Sequence, residues 1–253
     1  MSPEGTHPSA PGAAEGRRIL LVRHGESTAN VAAAAAERAG REAIEVEGRD
    51  ADVPLSELGR EQAGTLGEAL REKLGADWQT AARVWSSPYR RARQTAQLAS
   101  GGEGFLVDER LRDRELGILD ALTSRGVDAR LPDEAARRRW LGKFYYRPPG
   151  GESWADVALR VRSFLRDIPG DGAPLVAFTH DAVVSLFVYV LLRFDEDALT
   201  RFLADRVVSN ASITTFVTDA DGCWRLESFA DASHVVTAGV PATEHAGTDV
   251  DGD

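Results

Sequence analysis

Three stretches of this chain concentrate residues able to work on an anion. Arg23-His24-Gly25 closes the apolar run Ile19-Leu20-Leu21-Val22, and Thr179-His180-Asp181 closes the run from Pro174 to Phe178. Tyr89-Arg90-Arg91-Ala92-Arg93-Gln94-Thr95-Ala96 follows a third short run ending at Trp85. A guanidinium beside an imidazole suits an anion held next to a nucleophile or base. In an open α/β sheet ligands bind at the carboxyl ends of the strands. If the three runs are parallel neighbours, two imidazoles and at least two guanidiniums meet at one edge. Phosphoryl transfer requires such a set: a neutral imidazole to attack phosphorus, and arginine forks on the equatorial oxygens. Gly25 lets the backbone come close to a ligand, and Ser27, Thr28 and Asn30 add neutral hydrogen-bonding groups. Any one tripeptide alone is equally well a strand end that finishes in polar residues.

Alternating elements must hold these stretches together. The pattern predicts a strand at Ile19–Val22, an alanine-rich helix over Thr28–Arg41 and a polar loop over Ile44–Pro54. Ser56 reads as the N-cap of a second helix running to about Leu74 and stopped by Gly75. Strands follow at Ala82–Trp85 and Phe105–Val107, with a helix over Tyr89–Ala99 between them. Leu111–Gly151 reads as irregular, with one arginine-rich helix near Asp133–Leu141. Helices over Trp154–Ile168, Ala182–Leu192 and Glu196–Arg206 surround the strand Pro174–Phe178; that over Ala182–Leu192 is apolar on all sides and therefore buried. Ser212–Val217 and Trp224–Phe229 read as a hairpin. Strands separated by helices predict a three-layer α/β/α sandwich with a mostly parallel central sheet.

The bulk properties exclude several classes. At 253 residues, 43% hydrophobic and 28% charged, the chain has the composition of a globular protein with one sizeable core. A net charge of -10 argues against general nucleic-acid binding, which needs a basic footprint. No apolar run is long enough to span a membrane; the longest, Ala182 to Leu192, is interrupted by Ser185. Cys223 stands alone, so no intrachain disulfide or multi-cysteine metal site exists, and its expected role is that of a small buried hydrophobe. The N-terminus lacks the apolar core of a signal peptide, which makes the cytoplasm the default location. Residues 1–16 and about 240–253, rich in Gly, Pro, Ala and acids, read as disordered tails. His7 and His245 fall in them, and His234 reads as a packing residue.

Five blocks in order now carry a resemblance: Arg23 to Asn30, Leu55-Ser56-Glu57-Leu58-Gly59, Ser86 to Ala96, Gly150-Gly151-Glu152-Ser153 and the late His180. Together they resemble the histidine phosphatase superfamily, the phosphoglycerate mutase-like group, over about residues 17 to 235, within a domain expected to span 17–239. The resemblance implies that His24 is a nucleophile that becomes phosphohistidine. It implies that Arg23, Arg91 and His180 bind the phosphoryl group, with Asn30 adding a hydrogen bond. Helical periodicity leaves Arg90 and Arg91 equivalent; the family's Arg-Ala-x-Gln-Thr-Ala spacing selects Arg91, leaving Arg90 and Arg93 on a solvated face. Asp113 stands where the family places a glutamate general acid, one methylene shorter, with Glu115 as an outside candidate. Asp181 stands where mutase-like relatives usually have glycine; the acid phosphatase branch supplies its acid from a His-Asp pair, so Asp181 is the alternative acid.

Residues 118 to 150 are expected to form a cap. Arg137, Arg138, Arg139, Lys143 and Arg147 alternate there with Trp140, Phe144, Tyr145 and Tyr146. They suit either recognition of a second anion or aromatic group, or an exposed basic helix with aromatic packing. No metal-ligand spacing is evident, so neither metal nor other cofactor is expected. The expected activity is phosphatase hydrolysis of a small phosphate monoester. The alternatives are a phosphoglycerate mutase-type phosphotransferase and a non-enzymatic phosphate- or phosphoprotein-binding module.

Overall fold

The computed structural model describes residues 16–102 and 104–245. Six strands form one sheet: β1 (Arg18–Arg23), β2 (Arg83–Ser86), β3 (Leu106–Val107), β4 (Leu175–Thr179), β5 (Ile213–Thr218) and β6 (Trp224–Asp231). Their order is β3-β2-β4-β1-β5-β6. β3, β2, β4 and β1 are mutually parallel, while β5 runs antiparallel to both β1 and β6. The sheet is mostly parallel, as expected. The strands carrying the three chemical stretches are the adjacent central ones. Register pairs Arg23 with Thr179 and Ser86 with Phe178, so all three chains leave the sheet at the same edge.

Ten helices complete the described fold. They are α1 (Thr28–Arg38), α2 (Glu57–Leu74), α3 (Trp78–Ala81), α4 (Arg90–Ser100), α5 (Ser124–Arg130), α6 (Pro132–Tyr145), α7 (Trp154–Asp167), α8 (Asp181–Leu191), α9 (Glu196–Leu203) and α10 (Ser233–Thr237). Alternate residues of β1 feed opposite cores. Ile19 and Leu21 pack with Val157, Val161 and Phe164 of α7 and with Val183, Val184 and Phe187 of α8. Leu20 and Val22 pack with Leu66 and Leu70 of α2 and with Ala96 of α4. Burial on both faces explains why this strand reads as an unbroken apolar run. Burying each such leucine or phenylalanine contributes about 1.5–3 kcal/mol. α8 is enclosed along most of its length, Ala182 through Val188 all being buried.

Three local features depart from the sequence pattern. α1 stops at Arg38, because Gly40 turns the chain at a φ of 61°. The stretch 118–150 holds two helices rather than one: Thr123 caps α5 through Gly126 N, and Pro132 opens α6 directly after it. A short helix with glycine inside and no apolar stripe carries no periodic signal. Cys223 is exposed, not buried, because it lies in the turn between β5 and β6, where its N–H donates to Asp219.

Of the stretches expected as tails, residues 1–15 and 246–253 lie outside the described residues. Within 240–245 the chain is anchored by hydrogen bonds. Gln62 donates to Pro241 O and Thr243 Oγ1, and Asn210 N donates to Thr243 O. No helix among the described residues is long and apolar enough to cross a membrane.

Candidate active site

Where β1 ends, the chain must turn sharply under a second loop. A Cβ on Gly25 would lie 2.3 Å from Gly59 O, and one on Gly59 would lie 1.9 Å from Glu26 O. Only glycine lets these two backbones touch. The contact ties the loop after His24 to the start of α2, where Ser56 caps through Gly59 N and donates its hydroxyl to Glu26. Gly25 N also donates to Thr95 of α4. His24 is thus framed by the start of α2 and the middle of α4 before its side chain is considered.

The imidazole of His24 is 3% exposed. Its Nδ1 lies 2.7 Å from Gly25 O, and a carbonyl can only accept, so Nδ1 carries the proton. That leaves the lone pair on Nε2, which faces Arg91 Nε at 3.2 Å. Burial holds the His24 pKa well below the usual imidazole value, reinforced by the charges of Arg91, His180 and Arg23. The ring is therefore neutral at pH 7, with its basic nitrogen directed toward the Arg91 guanidinium.

Arg91 is the arginine of its run that turns inward; Arg90 and Arg93 are exposed. Its Nη2 donates to Asp113 Oδ2 at 2.8 Å, and both terminal nitrogens donate to Asp50, at 2.9 and 3.1 Å to the two carboxylate oxygens. Its guanidinium also lies 5.0 Å over the Tyr89 ring. Arg23, 2% exposed, donates Nη1 to Val208 O and Nη2 to His245 O, and stands 3.9 Å from Asp181.

His180, fully buried at the head of α8, rests edge-on 5.1 Å from His24 and 5.2 Å from Tyr89. Its Nε2 is 2.8 Å from Ser87 Oγ, and its Nδ1 is 3.1 Å from Asp113 Oδ2. Burial lowers the His180 pKa, while the charges of His180 and Arg91 hold the Asp113 carboxyl well below the usual range despite its burial. Two buried nitrogens, Arg23 Nε and His180 Nδ1, have no well-directed hydrogen-bond partner among the described residues. A buried unpaired donor costs about 1–3 kcal/mol, which an anion with several oxygens recovers on binding.

The remaining candidates take supporting places. Asn30 lines the cavity above His24; its Oδ1 accepts from Ser27 N and Asn210 Nδ2, so its amide nitrogen is the end left to donate. Asp181 also lines the cavity, with Oδ1 accepting from Ala182 N at 2.7 Å. Glu115 accepts from Tyr89 OH at 2.7 Å. The cavity holds about 450 Å³, the scale of a metabolite. The donor atoms of His24, Asp113 and His180 lie within 4.8 Å of one another, a trio that sequence spacing did not reveal and that could hold a metal ion. Arg91 hydrogen-bonds two of the three, so the local field favours an anion over a cation.

The family model for the histidine phosphatase superfamily (branch 1) matches residues 19–232. The chain belongs to that superfamily. Among its relatives, a glucosyl-3-phosphoglycerate phosphatase of Mycobacterium tuberculosis is 31% identical over 70% of this chain and 76% of its own length. A phosphoglycerate mutase-like protein of Arabidopsis thaliana is 34% identical over 60% of this chain, and the match spans only 53% of that longer protein. The solved complex of the mycobacterial glucosyl-3-phosphoglycerate phosphatase with inorganic phosphate superposes with a TM-score of 0.63 at 27% identity, covering 87% of this chain and 99% of the other. The superfamily's phosphoglycerate mutase-like fold is the six-stranded sheet with helices on both faces described above.

Against that background, sequence reading missed four contributors. Asp50, in the loop between α1 and α2, grips Arg91; nothing in its acidic surroundings singled it out. Ser87 and Tyr89, which support His180, lie inside a quoted block but carried no assigned role. His245, read as tail, lines the cavity and puts its carbonyl on Arg23, because Asn210 and Gln62 tether the segment before it.

Proposed function

We propose that this chain is a phosphatase that hydrolyses a small phosphate monoester through a phosphohistidine on His24, without using a metal ion. The observation that carries the reading is a neutral imidazole whose Nε2 lone pair meets the Arg91 guanidinium at 3.2 Å, beside the buried Arg23, whose Nε has no hydrogen-bond partner among the described residues. Membership of the superfamily and its phosphatase-named relatives support hydrolysis as the outcome.

In the first step Nε2 gives its electron pair to phosphorus while the bond from phosphorus to the alcohol oxygen breaks. A protonated Asp113 gives its proton to that departing oxygen. In the second step water attacks phosphorus, the N–P bond returns its pair to Nε2, and Asp113 accepts the proton of the water. Alcohol and inorganic phosphate leave. Arg23, Arg91 and His180 hold the phosphoryl oxygens throughout, with the Asn30 amide as a further donor. Asp113 rests as a carboxylate on Arg91. A phosphoryl monoanion that takes over those Arg91 donors brings both a proton and a negative charge, which raises the affinity of Asp113 for that proton. Asp181 is the second choice of acid: its Oδ1 accepts from Ala182 N and its Oδ2 stands 3.9 Å from Arg23, whereas Asp113 touches both Arg91 and His180. A cytoplasmic enzyme acting on a small solute fits the acidic composition and lone cysteine.

The test is rapid quench with a radiolabelled ester. An acid-labile, base-stable phosphoenzyme is expected that vanishes in His24→Ala together with turnover. Turnover without such an adduct, or an active His24→Ala, would remove the reading. Conversion of 3- to 2-phosphoglycerate without phosphate release would move the chain to the mutases.

A further inference from the structure

Within the Gly150-Gly151-Glu152-Ser153 block, Ser153 caps α7 through Asp156 N. Glu152, one residue earlier, turns instead to the loop that carries Asp113. The cavity above His24 is lined by Ala29 and Ala33 of α1 and by four consecutive residues, Asp113 to Leu116. Those four belong to no helix or strand. A segment without its own ladder must find partners for its backbone elsewhere. Here they come from Glu152 and from Arg160 of α7.

The Arg160 guanidinium bridges the two. Its Nε and Nη2 donate to the two carboxylate oxygens of Glu152 at 3.0 and 3.2 Å. The same Nη2 donates to Asp113 O at 3.1 Å, and Nη1 donates to Arg110 O at 2.6 Å. The Glu152 carboxylate also accepts from Arg112 Nη2 at 2.7 Å and from Glu115 N at 3.2 Å. Its backbone closes the clamp, with Glu152 N donating to Glu115 O and Glu152 O accepting from Arg114 Nε. Every residue from Arg112 to Glu115 is therefore fastened to Glu152 or Arg160. The pair is 9% and 13% exposed along its side chains, so solvent screens it little. Neither residue lines the cavity.

Asp113 has particular need of such a clamp. Its side chain has one rotatable bond fewer than a glutamate, so the carboxyl cannot swing to make up for a displaced backbone. A proton donor must stay within hydrogen-bond reach of the departing oxygen, and a misplacement of about 1 Å costs about 10²-fold. We infer that Glu152 and Arg160 are positioning residues for the general acid, fixing the Asp113 backbone from outside the cavity so that its carboxyl reaches the leaving group. The inference rests on the reading of Asp113 as that acid.

The test is leaving-group dependence, measured as kcat/KM, which reads only the steps up to transfer of phosphorus to His24. Glycerol 3-phosphate needs its alcohol protonated on departure, and p-nitrophenyl phosphate does not. The variants are Glu152→Gln and Arg160→Lys, whose single ammonium nitrogen cannot span Glu152 and both carbonyls. In each, kcat/KM on glycerol 3-phosphate is expected to fall about 10- to 100-fold further than on p-nitrophenyl phosphate. The ratio of the two within one sample is independent of the folded fraction, so a merely structural loss leaves it unmoved. Asp113→Asn is the reference. If it lowers the ratio while either variant keeps the parental value, the inference is overturned and the phosphatase reading stands. If Asp113→Asn leaves the ratio unmoved, the acid lies elsewhere, and the assignment of Asp113 falls together with the inference.

Discussion

Two runs of arginine in this chain, Arg90-Arg91-Ala92-Arg93 and Arg137-Arg138-Arg139, have opposite fates. The first opens α4 directly after β2, at the edge where His24 and His180 also emerge, and Arg91 is drawn in until it is 4% exposed. The second lies mid-way along α6, whose buried residue is Ala135, and none of its members reaches the cavity. Local charge density is higher in the second run. Position relative to the carboxyl edge of the sheet, rather than the density of charge, decides which guanidinium meets an anion. At the floor, geometry is enforced by strand register and by the Gly25–Gly59 contact. Along α6 and just beyond it, side chains satisfy themselves with nearby acids or solvent.

That contrast breaks most readily at Asp113, the carboxylate on which both Arg91 and His180 converge. Asp113→Asn is expected to lower kcat on alkyl phosphates by about 10²–10⁴, the usual contribution of a positioned proton donor. The loss is much smaller on p-nitrophenyl phosphate, whose leaving group departs without a proton. Asp181→Asn compared on the same two substrates checks the assignment. If it shows the larger difference between them, the acid belongs at the head of α8 instead.

Arg91→Ala follows, with an expected loss of about 10²–10³ in kcat, the scale for removing a donor from a transition-state oxyanion. It also has a pH signature. Arg91 is one of the charges that depress the His24 pKa, so its removal raises that pKa toward the ordinary value of about 6.5. In the parent protein the depressed pKa means that, below about pH 6.5, the unfolded chain takes up a proton that the folded chain refuses. Stability therefore falls as pH drops through this region, and falls further as Asp113 resists protonation. Arg91→Ala reduces the His24 part of that loss. NMR titration of the His24 ring reads the shift directly; an unchanged pKa would mean that burial and the remaining neighbours set it without Arg91.

Asp50 sharpens the comparison from the other side. Its carboxylate occupies the same Arg91 nitrogens that a phosphoryl group needs. Asp50→Asn removes a competing charge and is expected to lower KM and tighten inorganic phosphate inhibition several-fold. If kcat falls and KM does not, Asp50 instead positions the guanidinium.

What the sequence made legible divides along the same line. The choice of Arg91 over Arg90 came from the family resemblance alone, whereas the strand ends and the Ser56 cap were readable because buried strands and helix starts impose short-range rules that residue types must obey. Asp50 and His245 were not, since each reaches the site through a loop whose path is set by distant partners such as Arg91, Gln62 and Asn210. The aliphatic face of α1 was visible as a helix, but not as a cavity wall, because Ala29 and Ala33 acquire that role only from what stands opposite them. The cap arginines were read as equally suited to two roles, and tertiary placement chose the exposed one.

The weakest effect is the one that tests this division most directly. Replacing Arg137 and Arg139 together by Gln should change stability by no more than about 0.5 kcal/mol, as for exposed positions generally. The Arg139–Asp128 pair is largely solvated at both ends, at 67% and 62% exposure, so little attraction is lost with it. Turnover of an ester with a neutral leaving group should stay within about twofold, because at ordinary ionic strength a solvated charge is screened over roughly 8–10 Å. The measurement is kcat/KM beside a thermal melt. A tenfold loss in kcat/KM with an unchanged melting temperature would mean that the cap closes over bound substrate and carries its arginines to the cavity, and the contrast between the two runs would then be a property of the resting state alone.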